Sequence, residues 1–241
     1  VPLVGKGTSE DENRPLKVQR LLAQFAKLGK LAGIALKLSA DCRVSLSVIM
    51  EHCQGILIRL TKLTDTSWIV HWFTAGHGLI KTVAKGARSP RSPFAGKLDL
   101  FFDAEVHWNR ARTGELHQLR ESAPISTREA IRGDYNAMLL SGYWCRLLEL
   151  AVEREHPEPE LFGLLKRGLD HVVEKGPSIR AMQHFEQELA KYLGIARERR
   201  HVAPALREAL GGLPPQRAQL LERLSPAREL PVAESESGDL K

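Results

Sequence analysis

The sequence predicts an α+β chain: a small five-stranded β-barrel followed by an all-α helical domain. Three observations carry that reading. Apolar residues alternate with polar ones between Gly55 and Glu121, the period of half-buried strands. Turn residues interrupt that alternation at short intervals, as at Ala75-Gly76-His77-Gly78. From Ser126 onward the apolar spacing changes to that of helices with one buried face. The barrel is placed at residues 50–124 and the helices at 125–224. Residues 225–241, rich in Pro, Ala, Glu and Ser, are expected to be a disordered tail.

The 241 residues are enough to bury a sizeable core, with 43% hydrophobic and 27% charged residues. No apolar run approaches the roughly 20 residues of a membrane span, so no membrane partner is expected. The net charge of +6 leans toward polyanionic partners, but the distribution of that charge has to decide. Cys42, Cys53 and Cys145 are an odd number with no close pairing, which fits reduced thiols in a cytoplasm.

Residues 1–49 differ from the rest. Leu21, Leu22, Phe25, Leu28, Leu31, Ile34 and Leu38 fall at helical spacing among lysines and arginines, which suits a membrane surface or an acidic partner. Gly29 and Gly33 weaken such a helix by up to about 1 kcal/mol each. The chain begins with Val, and Met50 stands just before the first convincing strand. Met50 is therefore expected to be the true start, with residues 1–49 a mis-assigned extension. Gly5-Lys6-Gly7-Thr8 lacks the glycine spacing and preceding strand of a phosphate loop.

In the barrel, Ile56, Ile58 and Leu60 share one face of a first strand, and Ser67–Thr74 is a β-branched and aromatic second. Leu79–Lys85 is the third. Lys97–Trp108 alternates almost strictly, with Leu98, Leu100, Phe102, Ala104, Val106 and Trp108 on one side, and reads as a long fourth strand. Glu115–Glu121 is the fifth. The oligonucleotide-binding barrel is the commonest small closed form; an SH3-like barrel also fits the pattern.

Charge is distributed unevenly over these strands. No acidic residue lies between Gly76 and Leu98, a stretch holding Lys81, Lys85, Arg88, Arg91 and Lys97. Such a ladder and basic loop can follow a phosphate backbone, and equally can blunt a solvated sheet edge. Trp68, His71, Trp72 and Phe73 could stack on bases. Trp72 and Phe73 point to opposite faces, so at least one belongs to the core.

Ser126-Thr127-Arg128-Glu129 reads as a capping box opening the first helix. A second helix starts at Pro159 and a third at Pro177, the latter closed by Gly194. Weaker helices are expected over Val202–Leu210 and Gln216–Leu224. No Cys-x-x-Cys, His-Glu-x-x-His, nucleophile elbow or complete phosphate loop is present, so neither an enzyme nor a metal or other cofactor is expected.

The stretch Phe73-Thr74, Gly78-Leu79-Ile80, Val83-Ala84-Lys85-Gly86-Ala87-Arg88, Arg91-Ser92 and Gly96 closely resembles the start of the RecO recombination-mediator family. Phe185-Glu186, Leu189 and Leu193-Gly194 resemble the helix closing that family's central region. The resemblance covers about residues 51–195. It implies an oligonucleotide-binding barrel joined to helices and acting in recombinational DNA repair. It further implies binding of single- and double-stranded DNA, strand annealing without ATP, and recombinase loading with the ring-forming partner RecR. Lys85, Arg88 and Arg91 lie in the matched motif; Lys81 and Lys97 come from the strand reading.

Two departures qualify the resemblance. Many relatives carry a four-cysteine zinc module after the helix ending at Gly194, and this chain has none. Relatives often show Arg-Arg-Phe-Glu where Gln183-His184-Phe185-Glu186 stands, so docking of the acidic tail of single-strand-binding protein is expected to be weakened or displaced there. A protein–protein adaptor and an RNA-binding factor on the same barrel remain the alternative readings.

Overall fold

In the computed structural model, the described residues are 50–196 and 202–225. The expected helix over 16–38 and the expected tail beyond Ser225 lie outside them. Five strands come first: β1 (Met50–Lys62), β2 (Trp68–Thr74), β3 (Gly78–Ala84), β4 (Asp103–Asn109) and β5 (Leu116–Ser126). Six helices follow: α1 (Glu129–Gly133), α2 (Tyr135–Ala151), α3 (Pro159–Lys175), α4 (Ile179–Tyr192), α5 (Val202–Ala209) and α6 (Gln216–Leu224). The strands close in the order β1-β2-β3-β5-β4. β3 and β5 run parallel and every other neighbouring pair is antiparallel. The expected five-stranded oligonucleotide-binding barrel followed by helices is present.

A β-bulge between Leu57 and Arg59 determines what β1 covers. Before it, Ile56 faces the helices and Leu57 enters the barrel; Ile58, the unpaired bulge residue, also packs on the helical side. After it, the side-chain alternation shifts by one, so Leu60 packs against the barrel interior and Arg59 is exposed on the outer face. The expected single face of Ile56, Ile58 and Leu60 is therefore split. Trp72 and Phe73 are both fully buried, on opposite sides of β2. Trp72 fills the barrel and donates from Nε1 to Thr82 Oγ1 at 3.0 Å. Phe73 points outward under the helices, 6.1 Å from Phe162. Neither ring is free to stack on a base.

The long fourth strand begins only at Asp103. Phe101 adopts φ 67°, donating to Leu57 O at 2.8 Å, while Leu57 donates to Phe102 O at 2.9 Å. That kink turns the alternating residues 97–102 into a loop that seats Phe101 and Phe102 in the interior. The expected capping box also fails: Arg128 stands at the N-cap with φ 46° and no side-chain cap. Its guanidinium is drawn inward instead, to Asp170 Oδ1 (2.8 Å) and Phe101 O (2.8 Å). Accepting side chains cap α2, where Asp134 accepts from the Asn136 N–H at 2.7 Å, and α4, where Ser178 accepts from the Ala181 N–H at 3.1 Å.

The helices wrap around α2, whose Leu140, Tyr143, Trp144, Leu147 and Leu148 are buried. Tyr143 donates to Glu186 Oε1 of α4 at 2.6 Å, and Arg217 of α6 donates to the same oxygen at 2.7 Å. Burial and the Glu186 carboxylate push the Tyr143 hydroxyl well above its ordinary range. Three helices are thereby pinned by one buried carboxylate. Ile56, Ile58 and Phe73 of the barrel share this helical core, so barrel and helices pack as one unit.

Candidate nucleic-acid interface

β3 ends at Ala84, and the chain turns through Gly86 (φ 69°) into a loop reaching β4. Arg88 ties that loop to the β1–β2 hairpin. Its backbone N–H donates to Thr66 O (3.0 Å), its Nη1 donates to Thr64 O (3.1 Å), and its guanidinium lies 4.9 Å from the Trp68 ring centroid. Further along, Phe94 plugs into the barrel interior. The loop is thus held at two points, while Lys85 and Arg91 stay exposed. Among the described residues neither forms an ion pair or a side-chain hydrogen bond. Lys97 lies where the loop returns, half-buried, with its backbone N–H donated to Phe94 O at 3.0 Å.

Lys81 sits elsewhere. On β3 it is paired with His71 of β2 and Leu116 of β5, and its Nζ is 3.8 Å from Glu115. It borders a cleft of about 150 Å³ where the barrel meets α2. Arg59, His71, Arg146, Glu149 and Arg154 line the same cleft. Burial, then the charges of Arg59, Lys81 and Arg154, lower the His71 pKa to about 4, so its ring is neutral at neutral pH. Arg59 is visible as an outer-face residue only once the bulge is known. Arg146 and Arg154 carry no local signal at all, because tertiary folding brings them to β1 and β3.

A second concavity, about 710 Å³, lies between α3 and α4. Trp144 and Phe185, stacked 4.9 Å apart, form an apolar part of its lining. Gly168 completes it, since a Cβ there would come within 3.0 Å of the Trp144 ring. Arg167, His171, Arg180 and His184 also line it, with Glu188 as the one carboxylate among its lining residues. Gln183 is exposed and not part of this groove.

Residues 49–128 match the family model described as Recombination protein O N terminal, and residues 132–201 match Recombination protein O C terminal. The chain belongs to the RecO family. The first RecO match spans the barrel and its basic loop; the second runs from α1 through α4 and includes the α3–α4 groove. A protein named DNA repair protein RecO from Pelobacter propionicus is 32% identical over 144 residues, covering 60% of this chain and 58% of the relative. One of the same name from Xanthomonas oryzae pv. oryzae is 27% identical over 154 residues, 64% of this chain and 63% of the relative. One from Xanthomonas campestris pv. campestris is 28% identical over 187 residues, 75% of this chain and 76% of the relative. The chain therefore spans less than two thirds of the length of the first two relatives. Among the described residues no group of three or more His, Cys, Asp or Glu could hold a metal ion, and no helix is long and apolar enough to cross a membrane.

Proposed function

We propose that this chain is a cytoplasmic DNA-binding recombination mediator of DNA repair that works without a catalytic centre of its own. The observation that carries the reading is the basic loop after β3. It is anchored by Arg88 and Phe94, yet presents Lys85 and Arg91 unpaired on the barrel surface. Placing a cation on a fixed loop lowers the entropy lost when it meets a phosphate. Its release of counterions makes affinity salt-dependent. Annealing complementary strands needs such a screening surface rather than a nucleophile, so ATP is not required. Lys81, Lys85, Arg88, Arg91 and Lys97 are the residues assigned to DNA, with Lys85 and Arg91 both exposed and, among the described residues, without a side-chain partner.

Two partners go with this reading. A RecR-type ring protein would cooperate in loading recombinase. Single-strand-binding protein would dock its acidic tail in the α3–α4 groove, whose Trp144–Phe185 lining suits an apolar side chain and whose cations suit carboxylates. The charge there comes from Arg167 and Arg180 in place of the arginines absent at Gln183 and His184.

The test is strand binding and annealing by the full chain without nucleotide triphosphate. Expected are salt-dependent binding of a labelled oligonucleotide and annealing of complementary strands above the spontaneous rate. Binding that is absent at low salt would favour the adaptor reading, and a strong preference for matched RNA would favour the RNA-binding one.

A further inference from the structure

We propose that the cleft between the barrel and α2 is a phosphate-binding subsite, in which Arg59, Arg146 and Arg154, with Lys81, grip one phosphodiester of a nucleic-acid backbone. The inference rests on the nucleic-acid reading above and adds to it a place reached by tertiary folding. Four cations meet there from β1, β3, α2 and the segment after α2. Two carboxylates stand among them. Glu149 bridges Arg59 at 2.5 Å and Arg146 at 2.9 Å; Glu115 contacts Lys81 at 3.8 Å and also pairs with Arg154. Counting those charges leaves two positive charges without a counterpart around the cleft.

The geometry favours a small anion. About 150 Å³ is below the roughly 300–1,000 Å³ of pockets that enclose whole small molecules. Three of the four cations are guanidiniums, whose planar donor forks match phosphate oxygens in pairs. The side chains of Arg59, Arg146 and Arg154 are 46%, 47% and 56% exposed, so a backbone can reach them without unfolding the helix. Between them, His71 approaches Thr61 Oγ1 at 3.3 Å through Nε2. Its lowered pKa, after burial, reflects the field of Arg59, Lys81 and Arg154. An anion in the cleft would offset that field and make His71 more basic.

The position also connects with the exposed loop. Along β3 the side chains of Leu79, Lys81 and Val83 point outward in alternation, and Lys85 follows just beyond the strand. Lys81 and Lys85 are therefore separated by about 13 Å of extended chain. One strand lying along β3 can touch the loop cations and drop a phosphate into the cleft.

The experiment compares three full-length proteins, the wild type, K85A/R91A and R146A/R154A, on a dT oligonucleotide without terminal phosphates, with a 5′-phosphorylated copy and inorganic phosphate as further arms. R146A/R154A is expected to weaken oligonucleotide binding and to remove about 0.7 from the slope of log affinity against log salt, the share of one single-strand phosphate. The wild-type His71 ring signal, followed by NMR, is expected to titrate at least one pH unit higher with oligonucleotide bound. E149Q, which deletes a competing carboxylate, is expected to tighten binding, the opposite of what a purely structural Glu149 predicts. A preference for the 5′-phosphorylated strand that vanishes in R146A/R154A would put a terminal phosphate in the same cleft and still support it. If K85A/R91A loses affinity while R146A/R154A and the His71 titration are unchanged, the subsite is overturned and the nucleic-acid reading stands. If the wild type shows no salt-dependent binding, both fall. Should R146A/R154A fail to fold, the wild-type His71 titration and E149Q decide.

Discussion

Arg128 and Asp103 lie 3.7 Å apart in the junction between barrel and helices, with side chains only 2% and 1% exposed. Asp103 accepts two hydrogen bonds from Gln54 Nε2, at 2.8 and 2.9 Å, and Lys166 Nζ stands 3.4 Å away. Arg128 bonds Asp170 and Phe101 O, leaving Nη2 without a hydrogen bond. β1, β4, α1 and α3 thus converge on one buried ionic cluster. Removing Arg128 leaves Asp103 with Lys166 as its cation and takes away two charge-assisted hydrogen bonds, each typically worth about 1.5–3 kcal/mol. Arg128→Ala is expected to destabilise the chain by that order in urea unfolding. Arg128→Lys should rescue little, because an ammonium cannot reproduce the forked contacts.

The junction also explains which parts of the fold were legible in the sequence. Strands β2, β3 and β5 and helices α3 to α6 follow from local periodicity, and Pro159 and Gly194 sit where helix start and stop chemistry puts them. The misread places are those where a long-range contact overrides a local pattern. Ser126–Glu129 has the composition of a capping box, but Arg128 is taken by Asp170 across 42 residues of sequence. Residues 97–102 alternate like a strand, but Phe101 and Phe102 are seated inside by the kink at Phe101. In the site, the loop cations were visible as an acid-free run, whereas Arg59 depended on a bulge and Arg146 and Arg154 on helix docking.

Gly78 opens β3 with φ 64°, and its Cα faces the backbone of His156. A Cβ there would fall 1.9 Å from His156 O. The adjoining segment is bonded to the same strand, with the Glu155 N–H donated to Leu79 O at 3.0 Å. Gly78→Ala combines a left-handed backbone with a backbone clash, so a loss above about 2 kcal/mol is expected. Chemical denaturation checks it; a change below about 0.5 kcal/mol would contradict the packing described.

Glu186 is 2% exposed and accepts from both Tyr143 and Arg217. Tyr143→Phe removes one hydrogen bond and is expected to cost about 1–3 kcal/mol. Glu186→Ala strands Arg217 as well, so its cost should be clearly larger. Faster hydrogen exchange in Gln216–Leu224 than in α2 would show α6 detaching first in Glu186→Ala.

Acid should weaken the fold partly through His71. Its pKa is lowered from 6.5 to about 4 in the folded chain, so the unfolded chain takes up the proton first. The His71 contribution is therefore complete above pH 6.5 and is lost as pH falls from 6.5 toward 4. His117, lowered chiefly by burial, acts in the same direction. Urea midpoints are expected to rise between pH 4 and 6.5, and to rise less steeply in His71→Gln. Identical pH profiles for the two proteins would refute the assignment.

The assignment of the barrel surface to DNA is tested most directly by the salt dependence of oligonucleotide binding in Lys85→Ala/Arg91→Ala. Both side chains are exposed and unpaired among the described residues, whereas Arg88 also holds the loop to Thr64 and Trp68. Exposed sites of this kind change stability by about 0.5 kcal/mol at most, so the fold should survive, as circular dichroism would show. Each lost single-strand phosphate contact removes roughly 0.7 from the slope of log affinity against log salt. A drop of about 1.4 with weaker binding is the predicted result. Wild-type affinity and an unchanged slope in a folded variant would contradict it.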